Sequence, residues 1–181
     1  MSVINDMISR VLNVRSMAAA DLPRVLQLEK QRLRSSWLQH DIASNSPARD
    51  RGTWVATIQN HVVGYLVYQL ITEPETSSSK VAGKAAKLVE AETIVAPPMV
   101  CVDLLHIFVA PDWRRRGIGK ALITRFDPRP AQKGTCVIEA AVPERDMPVQ
   151  YLLRATGFQA VRVMRGFYGD DDAYLMEKRF G

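Results

Sequence analysis

One short segment of the chain combines the residue types that bind phosphate groups. It consists of Arg114, Arg115, Arg116, Gly117, Ile118, Gly119 and Lys120. Because glycine has no Cβ, the backbone N–H groups around Gly117 and Gly119 can approach a pyrophosphate closely. The segment also opens a predicted helix, whose first N–H groups have no partner within the helix and add positive potential. With cationic side chains at its rim, this loop is predicted to bind a phosphate-bearing ligand.

The spacing of the glycines excludes two common nucleotide-binding motifs. The segment lacks the Gly-x-x-x-x-Gly-Lys-Ser/Thr spacing of a P-loop, and it lacks the Gly-x-Gly-x-x-Gly spacing of a dinucleotide-binding turn. A solvated basic turn and a nucleic-acid-binding patch are the alternative interpretations of the arginines.

A single acidic residue, Asp103, lies within the apolar run 100–109. A lone carboxylate in a buried strand costs free energy unless it is paired or has a function. Two interpretations follow from this: Asp103 accepts a proton in catalysis, or it pairs with a neighbouring arginine.

The histidines and cysteines show no spacing typical of metal ligands. They are His40, His61, His106, Cys101 and Cys136. A metal site is therefore not expected. His106 is expected to be a packed strand residue, and both cysteines are expected to be buried, reduced thiols.

Hydrophobic periodicity places the loop and Asp103 in an alternating order of strands and helices. Strands are predicted at 14–17, 53–58, 62–71, 100–109, 135–142, 158–164 and 173–180. Helices are predicted from Asp21 onward, at 36–42, from the basic segment 114–120 to about 126, and at 148–156. This order predicts the α/β class, with a mixed central sheet of about six or seven strands flanked by helices on both faces.

Length and composition fit one globular domain. The 181 residues are 47% hydrophobic and 24% charged, with a net charge of +5. We predict a single domain over 1–181, with an N-terminal extension at 1–12 and an insertion at 73–98. Because no apolar run reaches the roughly 18 residues of a membrane span and no signal core is visible, a cytoplasmic protein without membrane contact is expected.

The basic loop resembles a loop of a known enzyme superfamily. Arg114-x-x-Gly117-x-Gly119, after a buried strand and the turn at 111–112, is similar to the acetyl-CoA loop of the GNAT N-acetyltransferases. The resemblance covers about 14–180. Three further segments resemble the RimI-type protein N-acetyltransferases: Gly64-Tyr65, Gly157-Phe158 and 172–176.

The resemblance implies a site for acetyl-CoA as co-substrate. The pantetheine arm would run along the backbone of Ile107, Phe108 and Val109, where an N–H group near Val109 would polarise the thioester carbonyl. The pyrophosphate would lie on the amides of 116–120. No metal and no nucleic-acid partner are expected.

The resemblance also implies roles for three catalytic candidates. Asp103 lies eleven residues before Arg114, an offset at which several members carry a base. The fifth-strand glutamate of RimI-type enzymes is replaced by Ala141, and Glu139 lies two residues earlier on the same strand face; a surface glutamate at the edge of the sheet is the alternative.

The third catalytic candidate is an acid that would protonate the departing thiolate. The slot for the family's tyrosine on the late helix holds Leu153, and Tyr151 lies two residues earlier. Tyr151 is therefore the candidate acid, and the alternative is that Tyr151 only packs there while water supplies the proton.

The acceptor is expected between two loops. Trp37 falls in the loop after the first helix, and Phe167 and Tyr168 fall in the last hairpin, beside the acidic residues 170–172 that could attract a cationic amine. A hydrophobic staple at Trp37 and a plain polar turn are the alternatives. The insertion at 73–98 could form or cover this site, or mediate a dimer.

We therefore expect direct attack of an amine on the thioester in a ternary complex. The favoured acceptor is the N-terminal amine of a protein or peptide. A small-molecule amine is the alternative acceptor, and an acyl-CoA-binding module without activity is the alternative class. The chain is expected to be a monomer or a homodimer.

Overall fold

The computed structural model describes residue 8 and residues 10–30, 51–72, 100–125 and 136–180. The helix predicted at 36–42, the candidate Trp37 and the insertion predicted at 73–98 lie outside these ranges. In the ranges described, no helix combines the length and apolar character that a membrane span requires.

The described core of the molecule consists of seven strands and three helices. The strands are β1 (Leu12–Ser16), β2 (Arg51–Ile58), β3 (His61–Thr72), β4 (Val100–Val109), β5 (Cys136–Pro143), β6 (Gln159–Tyr168) and β7 (Asp171–Phe180). The helices are α1 (Leu22–Lys30), α2 (Ile118–Thr124) and α3 (Met147–Ala155).

The seven strands form one mixed sheet in the order β1-β2-β3-β4-β5-β7-β6. The pair β4/β5 is parallel, and the other neighbouring pairs are antiparallel. A parallel pair needs a crossover connection, and α2 lies in the chain between β4 and β5. The predicted fold class and strand number are confirmed.

Helices cover both faces of the sheet. On the face that we call the α1 face, Val25 and Leu28 of α1 pack against Val55, Tyr65 and Phe108 of the sheet.

On the opposite α2/α3 face, Leu122 of α2 and Leu153 of α3 pack against Leu66, Val102 and Ile138. Burial of side chains of this size contributes about 1.5–3 kcal/mol each. Strands β2, β3 and β4 therefore contribute side chains to apolar clusters on both faces of the sheet.

The start of α1 is held by an ion pair with β1. Asp21 accepts hydrogen bonds from the Arg15 side chain at 2.6 and 2.9 Å and from the Ala18 backbone N–H at 2.8 Å. Asp21 thus closes a short 3-10 turn, directly before α1 begins at Leu22. β1 begins at Leu12 rather than at the predicted Val14.

The last hairpin is longer than predicted. β6 runs to Tyr168 and β7 begins at Asp171, so the turn is reduced to Gly169 and Asp170. β6 is an edge strand in the described sheet and nearly all its residues are exposed. An exposed edge strand shows little hydrophobic alternation, which is why the sequence pattern ended the strand too early.

Candidate functional site

A cleft opens where the parallel strands β4 and β5 separate. They pair only over 100–103 and 136–139, and the last pair is Asp103 opposite Glu139. Beyond it, β4 stays paired to β3 and β5 stays paired to β7. The resulting cleft has a volume of about 1000 Å³.

The walls of the cleft come from β4, β5, α3 and the last hairpin. Its lining includes Leu104–Ile107, Ala140–Pro143, Val149, Leu153, Phe167, Tyr168 and Asp171. The predicted substrate residues Phe167 and Tyr168 therefore lie at the cleft. Their rings pack edge to face with centroids 4.9 Å apart, and the Tyr168 hydroxyl donates to the Ala141 carbonyl at 2.9 Å. This bond ties the last hairpin to β5.

A β-bulge in β4 decides which side chains face α1. Val67 of β3 pairs with His106 and Tyr68 pairs with Leu104, so Leu105 is an extra residue in β4. Before the bulge, Leu104 packs on the α2/α3 face; after it, Phe108 packs on the α1 face. Without the extra residue, an even spacing would place both side chains on the same face.

The cleft edge of β4 presents backbone groups of Ile107 and Val109. The Ala110 N–H donates to the Val63 carbonyl of β3 at 2.9 Å. Because N–H directions alternate along a strand, the N–H groups of Val109 and Ile107 point away from β3 and towards the cleft. The predicted backbone contacts of Ile107 and Val109 are thus sterically possible, while Phe108 packs on the α1 face.

The basic loop follows β4 and begins with a cap on that strand. The Arg114 Nε donates to the Val109 carbonyl at 2.9 Å, and the Arg114 guanidinium lies 5.6 Å from the Phe108 ring centroid. The Arg116 guanidinium lies 5.2 Å from the Trp113 ring centroid. Both side chains therefore also hold the loop against β4 and the following turn, a role that the sequence did not predict.

The two glycines of the loop serve different purposes. Gly117 has φ +81°, and a Cβ at this position would meet no atom within 4 Å. A Cβ on Gly119 would lie 2.8 Å from Leu152 Cδ2, so Gly119 allows α2 and α3 to approach closely. Arg115 also has a positive φ of 59°. The loop therefore presents backbone to open space at Gly117, as a pyrophosphate site requires. Ile118 is buried below it and Lys120 is exposed.

Asp103 is half-buried and lies on the α1 face. Burial raises the pKa of its carboxyl above the ordinary value. Its cross-strand neighbours are Gln69 on β3 and Glu139 on β5. No arginine of the described ranges forms an ion pair with Asp103, so the predicted arginine pairing is not seen there.

Glu139 does not lie at the edge of the sheet, and that alternative was wrong. Its strand β5 lies between β4 and β7, which makes Glu139 half-buried. Burial, together with the negative charges of Glu177 and Asp103, raises its pKa, while Arg162 and Arg179 act in the opposite direction. The proximity of carboxylates on neighbouring strands disfavours ionisation of Glu139.

Tyr151 is not among the described residues that line the cleft. Its side chain is 61% exposed, whereas Leu153 is 1% exposed and lies in the cleft wall. Residues two positions apart on a helix point in different directions, so the register that buries Leu153 turns Tyr151 to the surface. The structure therefore gives no support to Tyr151 as the acid.

The acidic residues of the last hairpin are paired with arginines. Asp171 lies 3.1 Å from Arg145. Asp172 lies 3.0 Å from Arg165 and accepts a hydrogen bond from the Gly166 N–H at 2.9 Å. Both aspartates belong to β7 rather than to a turn, which corrects the predicted acidic turn that would attract an amine.

Sequence reasoning missed a polar cluster on the α1 face, which we call the Glu29 cluster (Glu29, Tyr65 and His106). The Tyr65 hydroxyl donates to Glu29 Oε2, and His106 Nε2 lies 3.2 Å from the same oxygen. Glu29 is 2% exposed. One signal was available: Glu29 is spaced four residues after Val25 on the apolar side of α1, where a charged residue needs a partner.

A metal site was not expected from the sequence. Over the ranges that the structure describes, no group of three or more His, Cys, Asp or Glu side chains is arranged to hold a metal ion.

Comparison with known proteins identifies the family. The profile of the Acetyltransferase (GNAT) family matches residues 22–158. The chain is 24% identical, over 167 residues, to the [ribosomal protein bS18]-alanine N-acetyltransferase of Escherichia coli K12, covering 90% of this chain and 94% of that protein.

Two solved plant structures share the fold. One is NAA60 of Arabidopsis thaliana in complex with a bisubstrate analogue, with a TM-score of 0.72, 20% identity and coverage of 94% of this chain and 99% of that one. The other is Naa50 of Arabidopsis thaliana with the bisubstrate analogue CoA-Ac-MVNAL, with a TM-score of 0.63, 17% identity and coverage of 94% and 99%. Since the family profile spans most of the chain and the sheet opens between β4 and β5 beside the glycine loop, the chain belongs to the Acetyltransferase (GNAT) family and is an N-acetyltransferase.

Proposed function

We propose that this enzyme transfers the acetyl group of acetyl-CoA to the N-terminal amine of a protein or peptide. The observation that carries the proposal is the cleft where β4 and β5 separate, which reaches Phe167 and Tyr168 of the last hairpin. The basic loop, with open space at Gly117, follows β4 directly in the chain. A phosphate-bearing donor bound at the loop could therefore extend along β4 towards an acceptor in the cleft.

The donor would be held by backbone groups more than by side chains. Amides of 116–120 would bind the pyrophosphate, with Arg115 and Lys120 exposed at the rim. The N–H groups of Ile107 and Val109 face the cleft and would bond the pantetheine arm and the thioester carbonyl. A strand edge of fixed geometry requires little rearrangement when the carbonyl oxygen gains negative charge.

The acceptor class is supported by the relatives. The Escherichia coli relative acts on an alanine of ribosomal protein bS18, and the Naa50 structure holds an analogue of CoA joined to an acetylated peptide. In this chain, the last hairpin presents two aromatic rings beside the cleft. Such rings can pack against the backbone of an extended peptide without requiring one particular peptide sequence.

Asp103 is our candidate for the first proton transfer. An amine is mostly protonated at neutral pH and must lose a proton before it can attack the thioester. The raised pKa of Asp103 makes its carboxylate a stronger base than an exposed aspartate. Glu139 lies opposite Asp103 and adds negative potential that favours a cationic amine.

Thioester consumption with a panel of acceptors tests the proposal. Peptides with a free N-terminus should consume acetyl-CoA, and the same peptides with a blocked N-terminus should not. Faster turnover of small amines than of every peptide would favour the small-molecule alternative. Tight CoA binding without turnover of any amine would favour a binding module.

A further inference from the structure

The strand β6 has two residues too many near the end of the last hairpin. Regular pairing with β7 stops at Met164 and resumes at Tyr168. The segment 165–167, which we call the hairpin bulge, lies opposite the single residue Asp172 of β7. Because most of the hairpin bulge has no residue of β7 directly opposite, another contact has to hold its backbone in one conformation.

The hairpin bulge places two consecutive aromatic rings at the same cleft. In a regular strand, consecutive side chains point to opposite faces of the sheet. Phe167 and Tyr168 nevertheless both line the cleft, and their rings are in edge-to-face contact. The Gly169 N–H donates to the Gly166 carbonyl at 3.2 Å, which closes a turn with the two aromatic residues at its centre.

The Asp172 side chain takes the place of the missing cross-strand partner. Its Oδ1 accepts a hydrogen bond from the Gly166 N–H at 2.9 Å, and its Oδ2 accepts one from Arg165 Nη1 at 3.0 Å. Its backbone carbonyl accepts a hydrogen bond from the Glu144 N–H at 2.9 Å. Asp172 therefore joins the hairpin bulge both to β7 and to the residue that follows β5.

The hydrogen bond from the Gly166 N–H matters more than the ion pair with Arg165. The Arg165 side chain is 87% exposed, and ion pairs of exposed side chains contribute little to stability. Gly166 has φ +59°, and a Cβ there would lie 3.2 Å from the Gly169 carbonyl oxygen. Glycine adopts this conformation readily, and the Asp172 carboxylate then fixes the direction of its N–H group.

The turn that holds the two rings is also tied to β5. The Glu144 N–H points to β7, so the carbonyl of Ala141, an odd number of residues away, points to the cleft. The Tyr168 hydroxyl donates to this carbonyl at 2.9 Å. The Tyr168 side chain therefore enters the cleft, and the conformation of the turn decides where the neighbouring Phe167 ring lies.

We propose that Asp172 is a positioning residue for the acceptor: its carboxylate holds the hairpin bulge so that Phe167 and Tyr168 both face the acceptor peptide. This inference rests on the proposed function. Asp172 is not among the described residues that line the cleft, so it acts through the two rings. The groups proposed to hold the donor and to accept the proton lie on β4 and in the basic loop, and they do not depend on Asp172.

The test measures KM and kcat with a peptide that has a free N-terminus, for wild type, Asp172→Ala and Asp172→Asn. Asp172→Ala should raise the KM for the peptide about tenfold or more, because the rings lose their fixed position. The kcat and the KM for acetyl-CoA should stay within about twofold of wild type. Asp172→Asn keeps an oxygen that can accept from the Gly166 N–H, so its peptide KM should lie within about threefold of wild type.

A double-mutant cycle shows whether Asp172 acts through the rings. In a Phe167→Ala/Tyr168→Ala background, Asp172→Ala should change kcat/KM for the peptide by less than about twofold, because the rings that it positions are absent. A further tenfold loss in that background would show that Asp172 acts by another route, and it would overturn the inference.

Asp170→Ala is the charge-matched comparison, since it removes one exposed aspartate from the same hairpin. None of the side-chain hydrogen bonds and ion pairs seen in the described ranges involves Asp170. A peptide KM that rises as much in Asp170→Ala as in Asp172→Ala indicates attraction by negative charge and overturns the positioning role.

Gly166→Ala is the second variant if Asp172→Ala does not fold, as judged by thermal unfolding. It strains the hairpin bulge without changing a charge, so the peptide KM should rise while kcat and the KM for acetyl-CoA stay unchanged. A peptide KM within about twofold of wild type in Gly166→Ala overturns the inference.

The two hypotheses fail in different ways. If the wild-type enzyme acetylates no peptide N-terminus, the proposed function is refuted, and this inference with it. If wild type acetylates peptides and the peptide KM of Asp172→Ala stays within about twofold of wild type, only the role of Asp172 is overturned. A fall in kcat and a rise in the KM for acetyl-CoA, together with the peptide KM, indicate a general structural role and also overturn it.

Discussion

Asp103 and Glu139 face each other at the last residue pair that joins β4 to β5. Both carboxyl groups have a raised pKa, Asp103 through burial and Glu139 through burial together with the charges of Glu177 and Asp103. The sheet therefore places two acids that resist ionisation at the point where the cleft begins. Such an arrangement costs stability at neutral pH and is typical of functional sites.

Replacement of the Asp103 carboxyl group should stabilise the folded protein at neutral pH. Since the folded pKa is raised, stability is lost as pH rises from the ordinary aspartate value, about 3.9, through the folded value. Asp103→Asn should therefore increase the free energy of unfolding at pH 7 relative to wild type, and the gain should vanish at acidic pH. Urea unfolding at several pH values measures this, with the exposed Glu144→Gln as control. A loss of stability at pH 7 would contradict the account.

The ion pair at the start of α1 should have the opposite pH dependence. The Arg15 hydrogen bonds lower the pKa of Asp21 in the folded protein. The contribution of Asp21 to the free energy of unfolding is therefore present above the ordinary pKa of aspartate, and it is lost as the pH falls through the pKa of Asp21 in the folded protein. Asp21→Asn should cost about 1–3 kcal/mol at pH 7 and little at strongly acidic pH. Asp112→Asn, at an exposed position, is the control for urea unfolding. Equal losses at both pH values would refute the assignment.

Gly117 should be essential for the donor. Gly117→Glu adds bulk and negative charge where the pyrophosphate is proposed to bind, so calorimetry should detect no acetyl-CoA binding. Gly169→Glu is the matched control, because Gly169 also has a positive φ of 77° and open space around a Cβ. Both variants bear the same backbone strain, but only the first should lose the donor. Comparable affinities in the two variants would exclude the loop as the pyrophosphate site.

The contact between Gly119 and Leu152 should appear as coupling between two substitutions. An added Cβ would lie 2.8 Å from Leu152 Cδ2. Gly119→Ala should therefore fail to give the roughly 1 kcal/mol that alanine gains over glycine within a helix. In a Leu152→Ala background the same change should give that gain. A double-mutant cycle in urea measures the coupling, and additive effects would show that α2 and α3 do not meet at this pair.

Sequence reasoning worked where the pattern is local. The loop 114–120 and the order of the strands and helices follow from hydrophobic periodicity, glycine spacing and turn residues. The assignment of Asp103 and of the loop residues to catalysis and binding stays a prediction.

The features that sequence reasoning missed depend on register and partners. The extra residue Leu105 turns His106 towards α1, and one residue of register cannot be read from an apolar run. The alternative that placed Glu139 at the edge of the sheet was wrong, because the order of the strands in the sheet does not follow from their order in the chain. The pairing of Asp171 with Arg145 joins residues that are distant in sequence.

Tandem mass spectrometry of an acetylated peptide tests the central claim most directly. The substrate would be a peptide with a free N-terminus and an internal lysine, incubated with acetyl-CoA and either wild-type enzyme or Gly117→Glu. We predict one acetyl group, on the N-terminal nitrogen, with the wild-type enzyme and none with the variant. Acetylation of the lysine alone, or no acetylation of any N-terminus by an enzyme that binds acetyl-CoA, would contradict the account.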